Sequence, residues 1–169
     1  MKERKQREIF DEWLNDYKAL LFKIIRAYAK HQENQEDLFQ DICLQIYRSI
    51  PNFKGKSAIS TWIYRIALNT ALKWSAKEKK HMEGHQEIEK VEHVLEMNDH
   101  AEDDRLAWLY QEIHQLNEID RSLTILLMEG YSYKEMASMV GISESNIGVK
   151  IHRIKKHLIA TSKQYDDGN

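Results

Sequence analysis

Apolar side chains return every three or four residues along most of this chain, the spacing that lays a single stripe along an α-helix. Phe10, Leu14, Tyr17, Leu21, Ile24, Ile25 and Tyr28 predict a first long helix ending near Lys30 and His31. Leu38, Ile42, Ile46 and Tyr47 predict a second. Asn34 is placed to cap it, Glu36 and Asp37 suit the positive end of its dipole, and Pro51 closes it. Beyond a loop over residues 53–57, Ile59, Ile63, Ile66, Ala67 and Thr70 predict a third helix, capped by Ser57 and running to about Lys80. Leu106, Leu109, Tyr110, Ile113 and Leu116 mark a fourth, and Ile119, Leu123, Leu126 and Leu127 a fifth that stops at Gly130.

The stretch GYSYKEMASMVGISESNIGVKIHRIKKHL that follows, residues 130–158, has the layout of a helix-turn-helix. Tyr133 to Met139 predict its first helix, Gly141 sits where the chain turns sharply, and Ser143 is placed to cap a second helix from Glu144. Met136, Val140, Ile142, Ile147, Ile151, Ile154 and Leu158 converge on one core, which leaves Ser145, Val149, His152, Arg153 and Lys156 on the other face. A helix pair of this kind also occurs as a plain packing unit. Charge favours nucleic acid: between Ser143 and Leu158, Lys150, Arg153, Lys155 and Lys156 stand against Glu144 alone.

Composition sharpens the picture. One proline and six glycines in 169 residues leave long stretches free of helix breakers, which favours an all-α chain. No apolar run reaches the ~20 residues needed to span a bilayer, so direct membrane insertion is not expected. The charged start MKERKQRE lacks the apolar stretch of a secretion signal, and the expected compartment is the cytoplasm. Cys43, the single cysteine, lies beside Ile42 and Leu44 and reads as a buried thiol. The net charge of −2 conceals an asymmetry: residues 54–80 carry seven cations against Glu78, whereas residues 81–104 carry nine carboxylates against Lys90. Two basic, periodic regions flanking an acidic segment predict two nucleic-acid-binding modules, 1–80 and 105–161, joined by a linker, 81–104, with 162–169 a frayed tail.

The third helix interleaves Trp62, Tyr64 and Trp74 with Lys56, Arg65, Asn69 and Lys73. Aromatic faces for unstacked bases, with cations along the backbone, suit a melted strand. The same residues equally fit core aromatics with snorkelling lysines. Catalytic arrangements are missing: no glycine-rich phosphate loop follows a strand, and the linker carboxylates are too many and too solvated to single out an acid and a base. His81, His85, His93 and His100 read as solvated linker residues, because their spacing fits no compact zinc motif. No cofactor is expected.

Three stretches together resemble the extracytoplasmic-function (ECF) sigma factors of bacterial RNA polymerase. EDLFQDICLQIYRSI (36–50) is similar to the polymerase-binding helix of their region 2, FKGKSAISTWIYRIALNTAL (53–72) to the part of region 2 that recognises and opens the −10 element, and residues 106–158 to region 4, whose helix-turn-helix reads the −35 element. The resemblance implies two small helical domains, a three-helix region 2 bundle and a four-helix region 4. It implies that Asp37, Gln40 and Asp41 face the β′ clamp helices, with the β subunit a further contact, and Asp37 also suits the helix terminus. It places Lys56, Ser57, Ser60 and Thr61 around a flipped −10 base, with Trp62, Arg65, Asn69 and Lys73 along the melting strand. Ser143, Ser145, Asn146, Val149, Lys150, His152, Arg153 and Lys156 form the −35 set. Promoter DNA, core polymerase and an anti-sigma factor are the implied partners, and the acidic linker would thread near the polymerase active site. Asn146, Gly148 and Val149 depart from the residues many relatives carry there, so the −35 sequence does not transfer.

The resulting expectation is a non-enzymatic initiation subunit. A helix-turn-helix regulator acting on duplex DNA without polymerase would leave the aromatic, basic third helix and the acidic linker unexplained. A nucleic-acid-processing enzyme would need a nucleophile or metal set that the sequence does not display.

Overall fold

The computed structural model describes residues 1–84 and 103–168, and every regular element in them is helical. α1 (Glu3–Tyr28), α2 (Gln32–Ser49) and α3 (Ile59–Gly84) form a first bundle, with a single 3₁₀ turn at Ile50–Asn52 after α2. α4 (Asp104–Gln115), α5 (Glu118–Met128), α6 (Tyr133–Val140) and α7 (Glu144–Gly168) form a second. The predicted stripes are the buried faces. Leu21, Ile24 and Ile25 of α1 meet Leu38, Ile42 and Ile46 of α2 and Ile63, Tyr64 and Ala67 of α3, while Ile113, Leu123, Leu126, Met136, Ile147, Ile151 and Ile154 fill the second core. Trp13 stands edge-on to Phe53, with ring centroids 5.3 Å apart, and pins the loop before α3 to α1.

Three local expectations change. α2 begins at Gln32, not after Asn34: the Gln35 N–H donates to the His31 carbonyl at 2.9 Å, and the Gln35 side chain reaches back to the Ala29 carbonyl at 3.0 Å, so the helix starts three residues early. α3 starts at Ile59, with Ala58 rather than Ser57 preceding its first residue, since the Trp62 N–H donates to the Ala58 carbonyl (3.1 Å), and the helix continues past Lys80 to Gly84. Residues 162–168 are not frayed. They extend α7, with Tyr165 against Trp108 at 5.9 Å and Arg105 paired to Asp166 at 3.7 Å. Most of the acidic linker, including His85, His93 and His100, lies outside the described residues.

The two bundles lean on each other along α1 and α3. Tyr28 Oη donates to the Glu118 carbonyl and Tyr64 Oη to the Ser122 carbonyl, each at 3.0 Å, and Arg65 donates to the Ser138 carbonyl. Lys23 pairs with Glu129 and Lys79 with Glu118, while Arg26 lies 4.1 Å from the Tyr110 ring centre. Burial pushes both tyrosine hydroxyls upward in pKa, so they stay protonated donors.

Candidate nucleic-acid interface

The helix-turn-helix is built by its caps. Ser132 and Glu135 form a reciprocal capping box at the start of α6, holding the exposed Glu135 carboxyl below its ordinary pKa by hydrogen bonds from Ser132, chiefly from its backbone N–H. Gly141 takes φ +80 at the end of α6, a left-handed conformation that admits glycine without strain. Ser143 Oγ then accepts the Asn146 N–H at 3.2 Å, so this serine starts α7.

With Ile147, Ile151 and Ile154 buried, Ser145, Asn146, Val149, His152, Arg153 and Lys156 are all exposed on α7. Lys150 behaves differently. Its ammonium lies 3.4 Å from the Asp120 carboxylate of α5, and both side chains are about three-quarters buried, at 26% and 21% exposure. Gly148 lies beside the Tyr133 ring, where a Cβ would meet ring carbon at 3.7 Å, an ordinary van der Waals contact.

On the first bundle, Asp37, Gln40 and Asp41 are exposed in a row on α2. Asp41 also lines a cleft of about 410 Å³ between α2 and α3, together with Gln45, Ser49, Asn69, Lys73, Trp74 and Lys77. The structure therefore brings one polymerase-binding candidate, Asp41, and two −10 candidates, Asn69 and Lys73, to the two walls of one groove, while Asp37, Gln40 and the other −10 candidates do not line it. Gln45 and Ser49 were not singled out from sequence, and Thr70 only as part of the inward stripe of α3; the pairing of α2 with α3 is what brings them to the cleft. Lys56 is exposed in the loop where Gly55 takes φ +67, and Ser57, Ser60 and Thr61 are half-buried around the start of α3, away from the residues that line the cleft.

The aromatics of α3 divide. Tyr64 is wholly buried and hydrogen-bonded to the second bundle, which makes it a core residue. Trp62 is half-buried, its Nε1 donating to Ser49 Oγ at 3.3 Å and its ring tilted on Phe53 at 5.4 Å. Trp74 opens onto the cleft. Arg65 is exposed yet its guanidinium is engaged by Ser138, through both carbonyl and hydroxyl. Cys43 is half-buried, and burial pushes its thiol up in pKa, which lowers its nucleophilicity. Among the described residues, no group of His, Cys, Asp and Glu gathers as metal ligands would, and no helix is long and apolar enough to cross a membrane.

Comparison with known proteins supplies the family. The family model for sigma-70 region 2 matches residues 13–81 and that for sigma-70 region 4 matches residues 106–158. The chain belongs to the sigma-70 family of RNA polymerase sigma factors, in the ECF class. It is 27% identical to the RNA polymerase sigma-H factor of Pseudomonas aeruginosa over 91% of this chain and 86% of that protein. It is likewise 27% identical to the sigma factor YlaC of Bacillus subtilis over 91% and 92%, and 23% identical to the ECF sigma factor SigM of Mycobacterium tuberculosis over 90% and 76%. Two solved structures share the fold. The sigma factor RpoE in complex with the anti-sigma factor NepR, from Bartonella quintana, has a TM-score of 0.67 at 20% identity, covering 93% of this chain and 98% of that one. CnrH in complex with the cytosolic domain of CnrY has 0.65 at 15% identity, covering 94% and 90%. The sigma factor directs RNA polymerase to promoters.

Proposed function

We propose that region 2 (residues 1–80) engages core polymerase through Asp37, Gln40 and Asp41 and opens the −10 element along α3, while region 4 (105–161) reads the −35 element with α7, the segment 81–104 linking them. The observation that carries this is the division of α7: isoleucines inward, and Ser145, Val149, His152, Arg153 and Lys156 in one exposed row. Short side chains suit base edges and cations suit phosphate, which is the chemistry of a helix in the major groove. For region 2 the support is the cleft in which Asn69, Lys73, Trp74 and Lys77 combine amide, cations and an aromatic face, as strand binding requires. A duplex-binding regulator independent of polymerase is not favoured, because residues 13–81 match a polymerase sigma region.

The factor acts without catalysing a reaction itself, in the cytoplasm where its polymerase works, and an anti-sigma protein is its natural antagonist, as NepR is the anti-sigma factor bound to RpoE. Run-off transcription with purified core polymerase tests the whole reading. Asn69→Ala should bind core normally yet open duplex promoter more slowly by permanganate footprinting, with rescue on a pre-melted template, since single-strand contacts worth about 1–3 kcal/mol per base act only after the strands part. Opening at the wild-type rate removes Asn69 from melting. No initiation by the wild-type factor with core overturns the proposal.

A further inference from the structure

Val149 is the one large apolar side chain among the exposed residues in the middle of α7, at 48% exposure. The side chains around it follow a gradient. Toward the N-terminus lie the exposed Ser145 and Asn146, both short and polar, and the half-buried Gly148. From one turn further on, His152, Arg153 and Lys156 are long and cationic or polar. Lys150, the cation adjacent in sequence, is drawn back to Asp120, so the nearest exposed cation on this face is Arg153, one turn further on. A helix in the major groove meets base edges with its N-terminal part and backbone phosphates with longer cations. The floor of that groove presents one apolar group, the C5-methyl of thymine, and short apolar side chains are what contact it.

We propose that Val149 is a specificity-determining residue that selects a thymine, through its methyl group, within the upstream promoter element. This rests on the assignment of α7 to the −35 duplex. Burying one methyl removes it from water, a gain of about fourfold in affinity at the usual value per CH₂. A solitary exposed valine otherwise calls for no explanation; its place at the centre of the exposed row, between short polar side chains one turn before it and cations one turn after it, is what singles this one out.

The test uses holoenzyme reconstituted from the full chain and core polymerase. A promoter library randomised in the upstream element is selected, and the winning duplex is resynthesised with each thymine replaced singly by deoxyuridine. Wild-type holoenzyme should lose about fourfold at one thymine. Val149→Ala should bind the thymine duplex about as weakly as wild type binds that deoxyuridine duplex, and should show no further loss at the same position. If no thymine is sensitive, or if Val149→Ala keeps the full methyl effect, the inference is overturned while α7 retains its DNA. Should Val149 serve a protein partner instead, Val149→Ala would weaken that complex and leave duplex affinity intact, which also overturns it. If Arg153→Ala with Lys156→Ala changes neither affinity nor salt dependence, the assignment of α7 itself fails, and the two failures are thereby distinguished.

Discussion

Lys150 and Arg153 stand three residues apart on the same helix, and the structure gives them different work. Lys150 ties α7 to α5 through Asp120, whereas Arg153 is exposed. Lys150→Ala should therefore lower stability by about 1 kcal/mol in a thermal melt and leave the salt slope of duplex binding unchanged. Arg153→Ala should leave the melt unchanged and lower the slope by about one. Nothing in the sequence separates these two residues, since a cation that turns inward is distinguished only by the carboxylate waiting for it thirty positions earlier. His114 supplies a second single-residue effect. Burial, then the charges of Lys30, Arg121 and Arg26, push its pKa down to about 4 from an ordinary 6.5. Between those values the unfolded chain binds the proton and the native chain does not, so stability falls as pH drops through that window. His114→Gln should flatten this part of the stability profile measured by urea unfolding, and an unaltered profile would remove the histidine from the account.

At the scale of elements, the periodicity of apolar residues was sufficient to locate every helix of both bundles, because burial of one stripe is what makes these helices. Caps were less legible. Ser143 and Gly141 hold the places their residue types favour, yet Asn34 and Ser57 do not start their helices, since the first turn closes on the His31 carbonyl before Asn34 and on the Ala58 carbonyl just after Ser57. Gly148 is the unusual element residue, a glycine inside a helix with ordinary backbone angles and room for a methyl group against Tyr133. Gly148→Ala should raise the melting temperature, worth up to about 1 kcal/mol in helix propensity. If the same variant loses affinity for the selected upstream duplex, the glycine serves close approach of DNA; if affinity holds, it has no part in DNA approach.

For the molecule as a whole, the contact between the bundles was invisible in the sequence. The pair Tyr64 and Ser122 is separated by 58 positions and Tyr28 and Glu118 by 90, and no local pattern marks a tyrosine whose hydroxyl will be received by a distant carbonyl. With region 4 seated on α3, the Arg65 guanidinium is occupied by Ser138, so contact of Arg65 with a melting strand requires the bundles to part there. Tyr64→Phe deletes the buried donor and should cost about 1 kcal/mol while loosening this seat. Fluorescence energy transfer between labels on α2 and α7 should broaden toward longer distances, and an unchanged distribution would show that the apolar contacts alone hold the bundles together.

Three of these contacts share a property: Tyr28, Tyr64 and Arg65 all donate from side chains of region 2 to main-chain carbonyls of region 4. A carbonyl is supplied by whatever residue occupies the position. An alanine scan across this seam should thus be lopsided, costly at the three donors and nearly silent for these carbonyl bonds at Glu118, Ser122 and Ser138, so that alanine at Ser122 spares the grip while alanine at Glu118 or Ser138 gives up the Lys79 pair or the Arg65 bond to the hydroxyl.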